Sequence, residues 1–301
     1  FFSARHLDEI SVHKLKKTLE IFCTDLRDVS RVRCKLFGEE HPDTLTSLTN
    51  LALTYDCLGE YEQALKINEK VYAIRSKVIG EEHPDMIHAL SNLANTYGNL
   101  GFHEKAFEYK EKAYILCCGA LGEEHPNTLS TLNNFAFACG KIGKTQQALE
   151  LYERAYTLRC KVLGEEHTDT LISLGNLAST YSKLGNHQKA LKLHEKAYTL
   201  HCIKRGKGHP DTLVNLNNVA RIYIKLGDHE KALEIYEELY NLCCKAFGEE
   251  HSNSLTSLSN LAYVYGDADK PGFFVLVIVE IGCFCYVSQK TFLNGVLSIL
   301  S

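Results

Sequence analysis

Acid and imidazole stand side by side six times in this chain. Gly38-Glu39-Glu40-His41-Pro42-Asp43-Thr44-Leu45 returns, with small changes, as Gly80 to Ile87, Gly122 to Leu129, Gly164 to Leu171, Gly206 to Leu213 and Gly248 to Leu255. A carboxylate beside a histidine is raw material for general acid–base chemistry, and histidines together with 12 cysteines are raw material for a metal site. The spacing argues against both. His41, His83, His125, His167, His209 and His251 recur every 42 residues without an insertion, so they occupy one place in successive copies of a unit. Helices of stacked copies lie about 10 Å apart, whereas zinc–nitrogen bonds are about 2 Å long. No nucleophile recurs beside the histidines, and adjacent glutamates on a loop are not a catalytic pair without a cleft. No phosphate-binding loop or triad spacing is present. These residues predict no enzyme activity, no catalytic group, no cofactor and no metal, and they place the histidines at helix starts, bonding local backbone.

The fixed period is the signature of a tandem array. Its elements are helical. Leu45, Leu48, Leu51, Ala52, Tyr55 and Leu58 recur at three- and four-residue steps, and so do Ala64, Ile67, Val71, Ile74 and Val78. Each set is one apolar stripe along a helix. Pro42 suits a first helical position and Asp43 the positive helix end. Gly59, Gly101, Gly143, Gly185 and Gly227 break the pattern between the two stripes, as glycines past a helix C-terminus do. Each unit is therefore a helical hairpin. The Ala52 and Ala64 slots hold alanine in all five full units, which predicts close helix approach there. A tyrosine ladder (Tyr72, Tyr114, Tyr156, Tyr198, Tyr240) lies on the second helix.

Charge and thiols narrow the class further. A net charge of −4 with mixed signs does not suggest nucleic-acid binding. Cys34, Cys118, Cys160, Cys202 and Cys244 fall in one slot, with Ser76 in the remaining place. At about 10 Å apart they are too distant for disulfides, so the slot predicts a ladder of free, mostly buried thiols in a reducing, cytoplasmic setting.

The period alone also fits β-propeller blades and HEAT repeats. Blades are excluded by the helical stripes and by the absence of Trp. The motif Leu48-x-x-Leu51-Ala52-x-x-Tyr55, then Gly59, Tyr61 and Ala64, resembles the tetratricopeptide signature. The length of 42, the Gly-x-x-His-Pro opening and the Asn-Leu-Ala centre resemble the kinesin light chain and nephrocystin-3-like type of that family. The fold expected is an all-α, right-handed superhelical solenoid of antiparallel hairpins. It divides into an N-terminal flank with a degenerate half-repeat (1–37), an array of five full units plus one first helix (38–265), and a non-repeat apolar tail (266–301). The resemblance also implies a kinesin motor complex as partner, although residues 1–19 are too short for the coiled coil that would join a motor.

In such a solenoid the first helices line the concave face. One of their non-core slots is Asn without exception: Asn50, Asn92, Asn134, Asn176, Asn218 and Asn260. An amide carries donors and an acceptor and can pair with any peptide backbone. Resemblance to tetratricopeptide grooves implies that role, and bonding to the neighbouring repeat is the alternative. Lys141, Lys183 and Lys225 share another slot, and Arg221 lies nearby. This basic cluster predicts acidic peptide segments as ligands. The reading is a protein-binding scaffold or adaptor. Its rival is the sensor region of a larger nucleotide-hydrolysing signalling enzyme. The chain opens at Phe1 without Met, which reads as a fragment, and no signal peptide is recognisable at its N-terminus. Three readings stay open for the tail: a segment packed on the last hairpin, a membrane anchor through 273–287, or a gene-model artefact.

Overall fold

The computed structural model describes residues 9–267. Twelve α-helices follow one another there, with no strand among the described residues. They are α1 (Glu9–Phe37), α2 (Pro42–Leu58), α3 (Tyr61–Ile79), α4 (Met86–Asn99), α5 (His103–Leu121), α6 (Pro126–Lys141), α7 (Thr145–Leu163), α8 (Thr168–Lys183), α9 (His187–Arg205), α10 (Pro210–Lys225), α11 (His229–Phe247) and α12 (Ser252–Asp267). Two compact units divide them, one of residues 9–173 and one starting at Leu174. The expected tail beyond Asp267, with its candidate membrane stretch 273–287, lies outside the described residues. Among those residues no helix is long and apolar enough to cross a membrane.

The recurrent histidine starts the first helix of its unit, except at α4, whose cap position holds Asp85. His41 caps α2 in an extended conformation, and its Nδ1 accepts the Asp43 N–H at 3.2 Å. His125 and His209 cap α6 and α10 identically, with Pro126 and Pro210 next in line. The ring nitrogen thus satisfies a helix N–H that has no partner inside the helix, and proline supplies a fixed φ where no N–H is needed. Two glycine conformations close the helices. Gly59 is left-handed (φ 80°, ψ 8°) and turns α2 into α3, with Glu60 N–H donating to the Tyr55 carbonyl at 2.9 Å. Gly80 ends α3 at φ 84°, ψ 158°, a region open essentially to glycine alone.

The helix α4 starts late. Its first helical residue is Met86, where the pattern places Pro84. In the equivalent slot Thr44 and Thr128 are fully buried, and the Thr128 hydroxyl donates to the Cys117 carbonyl at 3.3 Å. The Thr44 hydroxyl has no partner among the described residues and α2 still starts at Pro42, so this bond does not set the helix start. Met86 is fully buried against Leu90 and Ala113, and the loop before α4 ends differently from its counterparts.

Alanine fills both close-approach slots as expected, with Ala52, Ala64, Ala136, Ala178, Ala190, Ala220 and Ala232 all at 0% exposure. Two expectations need correction. Val78 is half exposed rather than part of the core stripe, because it faces an open cleft between α2 and α4. The thiol slot is only partly buried at Cys34, Cys118, Cys160, Cys202 and Cys244; the buried cysteines are Cys23, Cys117, Cys139 and Cys243. Cys117 and Cys243 stand one residue, about 100° of helix, from that slot. All described cysteines are free.

The first helix departs from its counterparts in length and exposure. It begins at Glu9, eleven residues before the half-repeat pattern, and carries Ile21, Phe22, Val29, Val32 and Leu36 exposed. Val29 and Val71 share a repeat slot, yet Val29 is 42% exposed and Val71 2%. In α5 the same slot, Ala113, packs on Met86 and Leu90 of the preceding first helix; α1 has no preceding first helix among the described residues.

Candidate peptide-binding groove

Polar side chains at fixed slots hold successive hairpins in register. In the first unit, Arg33 on α1 donates to the Asp43 carbonyl (3.1 Å) and the Ser47 hydroxyl (2.5 Å) at the start of α2. Arg159 on α7 repeats this with the Asp169 carbonyl (2.7 Å) and Ser173 (2.8 Å), and adds Ser130 (3.2 Å). Burial pulls the Arg159 guanidinium below its ordinary pKa, which makes those bonds necessary. Tyr97 donates to Glu69 at 2.6 Å, and Asn68 to Thr96 at 3.0 Å, coupling α3 to α4 in the same way.

One arginine of this slot lacks its partner. Arg75 on α3 is aligned with Arg33 and Arg159, but Ala89 stands where they find Ser47 and Ser173. Arg75 has no hydrogen-bond partner among the described residues. Burial lowers its pKa, and the Asp85 carboxylate partly offsets this. It lines a cavity of about 500 Å³ formed by α2, the end of α3 and α4. Asn50 and Asn92 lie on that wall with His88, and Leu53, Val78 and Ile79 supply apolar surface. Glu40 and Asp85 line the cavity too, so a ligand carboxylate would meet Arg75 in competition with Asp85, while the two amides pair with backbone and the aliphatic side chains take an apolar group.

The other expected residues are distributed as follows. Asn134 and Lys141 are exposed on α6, and the Lys141 ammonium lies 5.3 Å from the exposed Phe137 ring. In the second unit Asn176 and Asn218 are half-buried, while Lys183 and Arg221 are exposed. Asn260 donates to Asn217 Oδ1 at 3.1 Å, so at this position the amide bonds the neighbouring repeat. Lys225 donates to the Ser182 hydroxyl at 2.9 Å. Beneath Arg221, His194 is buried with Nδ1 unpartnered; burial, and then the Arg221 charge, push its pKa down to about 4. Lys110 is likewise buried in the first unit, bonding Asn95 Oδ1 at 2.6 Å, with its pKa lowered by burial to about 8.

Arg75, His88, Val78 and Ile79 were not among the expected site residues. Their signal was present in one place: alanine at position 89 against serine at 47 and 173 leaves an arginine slot without its acceptor. The acidic motif loop proved to be a helix start, and no cluster of metal-ligating side chains occurs among the described residues.

Tetratricopeptide repeat models match residues 85–161, 158–202 and 211–272, and a second tetratricopeptide repeat model matches 44–85. A crystal structure from Podosopora anserina, described as kinesin light chain nearly identical TPR-like repeats, is 30% identical with a TM-score of 0.62. The match covers 68% of this chain and 97% of that one. BtubC from P. vanneervenii is 20% identical with a TM-score of 0.64, covering 75% of this chain and 91% of that one. The apo form of RapI is 12% identical with a TM-score of 0.67, covering 92% and 75%. The last two are likenesses of fold alone. Comparison with curated proteins gives no match.

Proposed function

This chain belongs to the tetratricopeptide repeat family, in its kinesin light chain-like form, and from that premise we propose that it is an adaptor holding peptide segments of partner proteins. The observation that carries the reading is the cavity of about 500 Å³ that unites Asn50, Asn92 and the unpartnered Arg75. An extended peptide laid across α2 and α4 offers backbone groups to both amides. A glutamate or aspartate meets Arg75, and an adjacent apolar residue covers Leu53 and Val78. Charge-assisted pairing in a half-buried cleft is worth more than the same pair on an open surface. Asn134 adds an amide in the unit of residues 9–173, where Lys141 favours acidic ligands; Asn176 and Asn218 offer amides in the unit starting at Leu174, where Lys183, Arg221 and Lys225 do the same. A kinesin motor complex and a cytoplasmic setting belong to this proposal. The likeness to light chain repeats supports the first, and the free thiols support the second.

The test is fluorescence polarisation with labelled dodecapeptides carrying a central Glu-Leu or Lys-Leu pair. The Glu peptide should bind at least tenfold tighter, less so as salt rises. Asn50→Ala with Asn92→Ala should weaken it about tenfold, and Arg75→Glu should reverse the charge preference. A preference unchanged by Arg75→Glu would sink this reading.

A further inference from the structure

A second cavity, of about 540 Å³, opens beside the same helix α4 but on another side of it. Leu90 lines it, whereas His88 and Asn92 line the first cavity. Two residues along a helix is a turn of about 200°, so the two cavities address opposite faces of α4. The second has an apolar floor of Pro84, Leu90, Ile115, Leu116 and Ala120 and an acidic rim of Glu81 and Glu82.

The neighbouring repeats show what is missing there. Lys77 pairs with Glu40 at 3.3 Å, and Lys161 pairs with Glu124 at the same repeat position. The lysine that would pair with Glu82 is Gly119. Lys70 pairs with Glu39 at 2.6 Å and Arg154 with Glu123 at 2.6 Å. The corresponding Lys112 instead has its ammonium 5.8 Å from the Tyr109 ring, and Glu81 accepts from the Tyr72 hydroxyl at 3.1 Å. Where its neighbours form a lysine–glutamate pair, this repeat leaves the Glu82 carboxylate without a partner among the described residues, exposes Ile115 (62%) and has Lys112 on the cavity wall. The late start of α4 adds Pro84 to the wall.

We propose that this cavity is a docking site for a partner protein segment in which an apolar side chain is followed closely by lysine or arginine. The apolar group covers Ile115 and Leu116. The partner's cation meets Glu82, reproducing between molecules the pair that Lys77–Glu40 and Lys161–Glu124 make within one. The charge preference is opposite to that of the Arg75 cleft, so one repeat presents two faces to two differently charged segments.

Labelled Gly/Ser dodecapeptides with a central Leu-Phe-Gly-Lys, the same with Glu for Lys, and the same with Ser-Ser for Leu-Phe are the probes, titrated against the full chain. The Lys peptide should bind at least tenfold tighter than either control. Gly119→Lys should abolish that binding by restoring the internal pair. It leaves the fold intact, since a Cβ at Gly119 meets nothing within 4 Å, and unchanged helicity by circular dichroism checks this. Glu82→Gln should remove the preference for lysine over glutamate, while Asn92→Ala should change nothing, which separates this site from the Arg75 cleft. Undiminished binding to Gly119→Lys, equal affinity for the Glu peptide, or no binding of any probe overturns the proposal. A concentration-dependent sedimentation coefficient that Gly119→Lys suppresses would also overturn it, by assigning the cavity to a second copy of this chain.

Discussion

At the scale of the residue, the same slot serves different ends in different copies. Position 68 of the first full unit is Asn, and its successors are Lys110, Tyr152, His194 and Tyr236, all buried. His194 makes a testable case. Its folded pKa of about 4 lies below the ordinary 6.5, so the neutral form is favoured by folding. The resulting stability is fully present above pH 6.5 and declines as pH falls toward 4, by roughly 3 kcal/mol for the full shift. Urea midpoints at pH 7 and pH 4.5 should therefore converge in His194→Leu relative to wild type. An unchanged pH dependence in that variant would show the acid sensitivity to arise elsewhere. That the recurrent histidines bond local backbone near helix starts was legible from spacing alone, because helix starts have few solutions; that His83 does not itself cap α4 was not. The burial of His194 was not, since burial depends on neighbours that the period does not name.

At the scale of the element, the hairpin boundaries followed from glycine, proline and histidine positions because local backbone chemistry determines them. Two boundaries escaped. α1 reaches back to Glu9 although residues 9–19 carry none of the repeat pattern, which shows that a helix need not match the unit to continue it. α4 starts late, at Met86, where its counterparts carry threonine or serine. This difference predicts unequal histidine caps. His125→Ala should lower stability by about 1 kcal/mol, the usual loss for an N-cap. His83→Ala should lose less, since α4 begins only at Met86 and Asp85 holds the cap position. Denaturant midpoints of the two variants measure this, and equal losses would show that His83 stabilises α4 as much as His125 stabilises α6.

At the scale of the whole molecule, equal sequence does not mean equal energy. Val29 and Val71 are the same residue in the same repeat slot, with one exposed and the other buried. Val71→Ala should lower stability by about 1–2 kcal/mol, whereas Val29→Ala should lie within about 0.5 kcal/mol of wild type. Matching effects would mean that another part of the protein covers α1. The array, its hairpins and its alanine slots could all be read from the sequence, because each is a repeated local rule. The Arg75 cleft and the Gly119 cavity could not, because each is a departure from the rule. Ala89 and Gly119 looked like ordinary variation until the partners they leave unserved had positions in space.

The glycine junctions have a last consequence. Each second helix ends on a glycine in a conformation other residues avoid: Gly80, Gly122, Gly164, Gly206 and Gly248, with φ between 82° and 96°. The couplings between repeats are therefore interchangeable parts. Excising one period between two such glycines rejoins a helix end to a helix start of the same geometry. A shortened chain keeps a valid joint at the scar, and so does a lengthened one. What such an edit changes is which departures from the rule survive, and so which segments the remaining chain can hold.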